Sequence, residues 1–257
     1  HVHREQWWSF FSAPVARFGW FLESRIAPWV YRTKDYVTVS QSSFDDLVSI
    51  GVDPARISIS YGGIDLPEGH DRAPATARST TPSLIALSRL VPHKRIEIAI
   101  SVVRELSRSL PDLTLHVVGE GYWLASLQEH AAREGVADRV VFHGFVEEAE
   151  KNELLASSWA MAMPSAKEGW GLTIIEAALH STPAVAFADA GGTRESIQDG
   201  VTGLLAEDQD EFVAALYRLL TDDDYRTKLG NNARERAEQF TWATTGRDLM
   251  RVLGDER

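Results

Sequence analysis

Ala160-Met-Ala-Met163-Pro-Ser-Ala-Lys-Glu168-Gly-Trp-Gly-Leu-Thr-Ile-Ile-Glu176-Ala-Ala-Leu-His180-Ser-Thr-Pro-Ala184-Val-Ala-Phe187 sets a short apolar run, a turn rich in Pro and Gly, a helical stretch and a second apolar run in succession. Runs that are apolar at every position read as strands covered on both faces, and a helix between two of them is the crossover of a parallel pair. Working outward, Leu84–Ser88, Leu113–Val118 and Val140–Phe142 repeat the strand signal with helical patterns between them. The fold class expected is α/β, with a doubly wound parallel sheet of Rossmann type. In such a sheet the C-terminal strand ends gather at one edge, where ligands bind. Helices at about Gln209–Leu220 and Asp222–Glu238 close the unit, and Phe240-Thr-Trp242 interrupts them before a last helix to Leu253.

Toward the N-terminus, Tyr36–Ser40 and Ile57–Ser60 read as short strands around a helix from Ser42 to Ile50 that stops at Gly51. From Gly62 to about Pro82 the chain is rich in Gly, Pro, Ala and Thr without apolar periodicity, as a linker is. The expected organisation is therefore 1–62 as one domain's tail, 63–82 as linker, 83–240 as a complete domain and 241–257 as a final helix. The 257 residues suit one and a half ordinary domains. Because the chain begins at His1 and not at Met, a partial protein is expected.

A composition of 44% apolar and 25% charged residues excludes a disordered or fibrous chain. The absence of cysteine excludes disulfides, thiolate metal sites and a cysteine nucleophile. A net charge of −11 argues against a nucleic-acid partner. The charge is unevenly spread, however. Residues 1–34 carry five basic side chains and two acidic ones, a net of +3, which leaves −14 for the rest. That front end also holds Trp7, Trp8, Trp20 and Trp29, so it reads either as a helix buried against its own domain or as one lying on a membrane surface. No apolar run is long enough to span a bilayer.

Glu168 and Glu176 bracket the start of a helix. Gly169 and Gly171 let a ligand come close to the backbone, and the N–H groups near Leu172 and Thr173 favour an anion through hydrogen bonding and the helix dipole. A phosphate fits there. Carboxylates beside a phosphate are repelled unless each faces a neutral hydroxyl, which implies a ligand with hydroxyl-rich groups on both sides of a diphosphate: a nucleotide sugar. Five helical residues rise ~7.5 Å, which sets the two carboxylates roughly 10 Å apart. Arg89 and Lys94, following the first strand of this domain, supply cations that can bind the diphosphate and stabilise it as a leaving group. Taken singly, each of these side chains is an ordinary surface charge; the joint placement is what points to function. Trp170 can stack on a sugar or fill a cleft. His116 reads as a core histidine, His180 as a residue favourably placed at a helix C-terminus, and Gly191-Gly192 as either a tight turn or part of the site. Gly119-Glu-Gly121 is followed by Tyr122 and Trp123, so the dinucleotide fingerprint fails at its third glycine. No Asp-x-Asp motif or His cluster with metal spacing is expected, so a divalent ion would be incidental.

In register, these features resemble the C-terminal half of retaining glycosyltransferases of family 4, the glycosyl transferases group 1, which have the GT-B fold. The resemblance runs from about Val37 to Trp242. It rests on the two glutamates around Gly169-Trp-Gly-Leu172, on Ser88-Arg-Leu90 with Lys94, on Val117-Val-Gly-Glu-Gly121, on His143-Gly-Phe145 and on Gly191-Gly-Thr-Arg-Glu195. By the resemblance, Glu168 meets donor sugar hydroxyls, Glu176 the ribose, Arg89 and Lys94 the diphosphate, and the backbone near Phe145 and Val146 the base. The backbone of Gly169, Trp170, Gly171, Leu172 and Thr173 holds sugar and phosphate. His1 or His3 takes the place of a histidine beside the donor sugar. Tyr61-Gly-Gly-Ile-Asp65 looks like the interdomain segment, with Gly62 where Asn is usual. The resemblance further implies a complete donor domain beside a partial acceptor domain, a C-terminal helix at 241–257 that crosses back to the first domain, with packing on its own domain as the alternative, and sugar transfer to a hydroxyl with retention of configuration, without cofactor or metal. The acceptor would be a saccharide, lipid-linked or other hydroxyl compound, and the location cytoplasmic, peripheral on the inner face of a membrane through residues 1–34. A nucleotide-sugar-binding fragment without transfer, and an epimerase on the same fold, are the alternatives.

Overall fold

The computed structural model describes residues 7–8, 11–66 and 77–254. His1 and His3, and the middle of the expected linker, lie outside them. The chain divides into one unit of residues 1–63 and 242–257, and a second of residues 64–241.

In the first unit a helical run covers α1 (Ala13–Phe21), a π-helical turn (Leu22–Ile26) and α2 (Ala27–Val30). At this front end Phe11, Phe18, Phe21, Trp29 and Tyr31 are exposed, with Arg17, Arg25, Arg32 and Lys34 among them, whereas Trp7 and Trp20 are half-buried. Strands β1 (Tyr36–Thr38) and β2 (Ile57–Ile59) pair in parallel around α3 (Gln41–Ser49). Ser40 caps α3, its Oγ accepting the Ser43 N–H at 3.0 Å, which explains why the helix begins where Ser replaces apolar residues.

The second unit is a six-stranded parallel sheet: β3 (Ser83–Leu87), β4 (Thr114–Val118), β5 (Val140–Gly144), β6 (Ala160–Met163), β7 (Ala184–Phe187) and β8 (Gly203–Ala206), ordered β5-β4-β3-β6-β7-β8. Counted within the unit this is the 3-2-1-4-5-6 order of dinucleotide-binding sheets, whose switch point lies between β3 and β6. The sixth strand was not expected from sequence. Gly203-Leu-Leu-Ala206 is too short to stand out, and it forms because β7 offers an open edge, pairing Ala184 with Gly203 through Phe187 with Ala206. Alternation along β3 feeds two cores. Leu84 and Ala86 pack with Ile100 and Val103 of α4 (Ile96–Leu106) and Phe212 and Leu216 of α9 (Gln209–Thr221). Ile85 packs with Leu155 of α6 (Glu148–Ser157) and with Ile174 and Ala177 of α7 (Leu172–Leu179). Helix α5 (Leu124–Arg133) joins the first layer, and α10 (Asp223–Ala237) lies on α7.

The last residues of the expected linker belong to this unit. Ser79 N donates to Ser157 O at 2.9 Å, and the Arg78 guanidinium bonds Thr182 Oγ1 at 2.7 Å, His180 O at 3.1 Å and, more closely, the carbonyls of Ser158 and Ser181.

Candidate nucleotide-sugar site

Six loops leave the C-terminal strand ends of this sheet, and the five after β5, β4, β3, β6 and β7 are hydrogen-bonded each to the next in sheet order. Gly119 N, after β4, reaches Gly144 O at the end of β5 (2.8 Å). Ser88 N and Leu90 N, after β3, donate to Val118 O and Glu120 O at 3.0 and 2.8 Å, and Trp123 N returns to Leu90 O at 3.1 Å. Ala166 N, after β6, donates to His93 O at 2.8 Å, and Arg95 Nε to Pro164 O at 2.9 Å. Glu168 N reaches Ala190 O at 2.8 Å and Gly192 N reaches Glu168 O at 2.9 Å, which joins the loop after β7. The glycines explain the closeness: a Cβ on Gly121 would run into the Leu90 carbonyl, and one on Gly192 into that of Gly169. The pairs Gly119-Glu-Gly121 and Gly191-Gly192 thus stitch loops together.

The sequence-derived residues fall along this belt. Lys94 Nζ and Glu168 Oε1 form an ion pair of 2.5 Å with both side chains nearly buried, 13% and 12% exposed. Arg89 is exposed, with no protein partner among the described residues. Between them sits His93. Burial first, then the Lys94 and Arg89 charges, push its ring below the usual histidine value against an opposing pull from Glu168, so His93 is neutral at pH 7. Those same couplings place Arg89, Lys94 and Glu168 around one point. Gly171, left-handed at φ +82°, is the N-cap of α7 and its carbonyl is the first intrahelical acceptor, taken by Ile174 N at 2.9 Å, so the N–H groups of Leu172 and Thr173 have no acceptor within the helix. Glu176 lies one turn on, its Oε1 accepting from Lys151 Nζ at 2.7 Å. Phe145 is 70% exposed beyond β5, whereas Val146 is partly buried.

Three features were open in the sequence, missed by it or misread from it. The Trp170 ring is 4% exposed and meets Phe240 edge-on at 5.1 Å, so it fills the core and presents no face to a sugar. Lys151 was missed because helix spacing alone does not place α6 against α7. The sequence does contain Asp-x-Asp spacings, at Asp208-Gln-Asp210 and Asp222-Asp-Asp224, the former beyond the unforeseen β8. Asp208 and Asp222 cap α9 and α10, accepting from Glu211 N and Tyr225 N at 2.9 Å each. Among the described residues no three His, Asp or Glu side chains gather as a metal site.

A parallel sheet with this strand order, whose edge loops join cations to a helix N-terminus flanked by two carboxylates, defines a doubly wound α/β unit. The chain belongs to the glycosyl transferases group 1 family, whose model matches residues 69–236. It is 34% identical over 186 residues to the GDP-mannose-dependent alpha-(1-6)-phosphatidylinositol monomannoside mannosyltransferase of Mycolicibacterium smegmatis, covering 68% of this chain and 48% of the relative. It is 32% identical over 241 residues to the D-inositol 3-phosphate glycosyltransferase of Stackebrandtia nassauensis, covering 85% and 53%. The chain spans about half the length of the curated relatives it matches. In fold it matches Anabaena HepE, solved in complex with UDP and glucose, with a TM-score of 0.78 at 24% identity over 90% of this chain and 66% of that one. The α/β fold of GT-B type expected from sequence is that of these glycosyltransferases.

Proposed function

We propose that the protein transfers a sugar from a nucleoside-diphosphate sugar to an acceptor hydroxyl, with retention of configuration and without a metal ion. The observation that carries this is the α7 N-terminus. The Leu172 and Thr173 amides, the unpartnered Arg89 and the Lys94–Glu168 pair surround a position for a diphosphate, with Glu176 on the ribose side. In this reaction the bond between the sugar C1 and the β-phosphate oxygen breaks, and a bond from C1 to the acceptor oxygen forms on the same face. The departing phosphate takes the acceptor proton. Charge on that phosphate grows toward the transition state, where Arg89, Lys94 and the α7 amides act. Lys94 must share itself between Glu168 and phosphate, which ties sugar and diphosphate recognition together.

The GDP-mannose dependence of the mycobacterial relative supports a nucleotide-sugar donor, and its phosphatidylinositol monomannoside acceptor is a lipid. A saccharide or lipid-linked hydroxyl acceptor is proposed on that basis. So is peripheral contact with the inner face of an anionic membrane, through the exposed aromatic and basic side chains of residues 11–34, on the cytoplasmic side where nucleotide sugars are available. No helix among the described residues is long and apolar enough to cross a membrane.

The test is a saturation-transfer NMR screen of UDP-, GDP- and ADP-sugars against this chain. Binding of one donor, lost in Glu176→Ala, supports the assignment; no binding by any donor overturns it. Turnover of that donor with acceptor, measured on a full-length protein, separates transfer from binding alone, and conversion of donor without acceptor would reveal an epimerase.

A further inference from the structure

Lys151 is a cation that sequence did not single out, and it is tied directly to the proposed site. It stands one turn into α6, its side chain 17% exposed, and Nζ donates to Glu176 Oε1 at 2.7 Å and to Glu148 Oε2 at 2.9 Å. Glu148 is mostly in solvent, whereas Glu176 is largely buried between α6 and α7. The other oxygen of Glu176, Oε2, has no protein partner among the described residues. One carboxylate oxygen is therefore anchored and the other is left to accept.

We propose that Lys151 is a positioning residue for ribose recognition: by fixing Oε1 it holds the Glu176 carboxylate oriented, so that Oε2 accepts from the vicinal ribose hydroxyls. The proposal rests on the donor-site reading above. Two physical reasons support it. A free Glu side chain loses rotamer entropy on being ordered, and a pair built between two packed helices has met that cost before the ligand arrives. A diphosphate entering at the α7 N-terminus also brings negative charge that repels the Glu176 carboxylate from its place. Lys151 opposes this. Burial alone pushes its ammonium down, but the hydrogen bonds to Glu176 and Glu148 and their charges more than reverse that, so it is held above the ordinary lysine value and remains charged through neutral pH.

The test compares affinities of UDP and GDP with those of their 2′,3′-dideoxy counterparts by calorimetry on this chain. Wild type is expected to favour the ribonucleotide by about tenfold or more, the scale of hydrogen bonds to a charged acceptor. Glu176→Gln should erase the preference and Lys151→Met most of it, while Lys151→Arg restores it. Glu148→Gln, which leaves the Lys151–Glu176 pair intact, should keep it. If wild type discriminates, Glu176→Gln does not, and folded Lys151→Met behaves as wild type, Lys151 is only a bridge between helices and the proposal falls alone. If wild type binds neither nucleotide or shows no preference, the assignment of Glu176 to ribose falls, and this proposal with it.

Discussion

Arg78 and Arg89 lie at opposite edges of one sheet, and they are used in opposite ways. Arg78 enters at the N-terminal strand ends, where burial and then the Arg226 charge bring its guanidinium down to about 10, and its donors are taken by the Ser158, His180 and Ser181 carbonyls and the Thr182 hydroxyl. Arg89 stands at the C-terminal strand ends, exposed, and touches no protein acceptor among the described residues. One edge therefore satisfies its charge internally and is held rigid by doing so. The other leaves cationic and amide donors for a ligand, above loops that are fastened to one another. The site's rigidity comes from backbone bonds between loops, and its chemistry from side chains those bonds do not use.

The comparison is tested most severely at Arg78. Arg78→Ala strands three carbonyls at the closed edge and should lower the unfolding free energy by about 3 kcal/mol in urea titrations followed by tryptophan fluorescence. Nucleotide affinity below the transition should stay unchanged; a joint loss of affinity would mean the two edges are coupled. Next in size is Gly192→Ala. Its new methyl group collides with backbone at Gly169, where no flexible side chain can give way, so about 2 kcal/mol of stability should go together with nucleotide binding.

How much of this was legible in the chain follows from which contacts are local. Ala160–Met163 and Ala184–Phe187 form strands where they were expected, because an unbroken apolar run has few other uses. The start of α7 was legible for a similar reason: Gly171 marks a helix boundary by itself. What escaped depends on partners distant in sequence. β8 needs the edge of β7, Arg78 needs loops 80 and more residues away, and Lys151 needs α7. Trp170 was open between sugar and core, since nothing nearby in sequence announces Phe240 as its neighbour.

A pH titration probes the closed edge again, with a smaller effect. The His180 ring, with Nε2 facing Asn152 Oδ1 at 3.0 Å, is pushed down to about 4, chiefly by burial and then by the charges of Arg78, Arg234 and Lys151 against Glu148. In the unfolded chain it titrates near its ordinary value of 6.5, so between pH 6.5 and 4 the unfolded state binds more protons and acidification favours unfolding. Stability present above pH 6.5 should decline by about 1–2 kcal/mol toward pH 4, after discounting for the partial exposure of the ring. His93 and His116 are also held low, so His180→Gln should reduce this slope and leave a residue of it.

The smallest expected change in stability is at Arg89. A side chain with no protein partner among the described residues contributes little to folding, and Arg89→Ala should shift the unfolding midpoint by less than about 0.5 kcal/mol equivalent. Its cost should instead appear in chemistry. On a full-length protein the turnover rate should fall roughly 100-fold, while donor affinity falls far less, because the charge it faces is greatest as the phosphate departs. Equal and small losses in both would place Arg89 outside the reacting region and leave Lys94 and the α7 amides to hold the diphosphate. A large loss of stability would mean that the open edge is built as the closed edge is, and the distinction between the two arginines would fail.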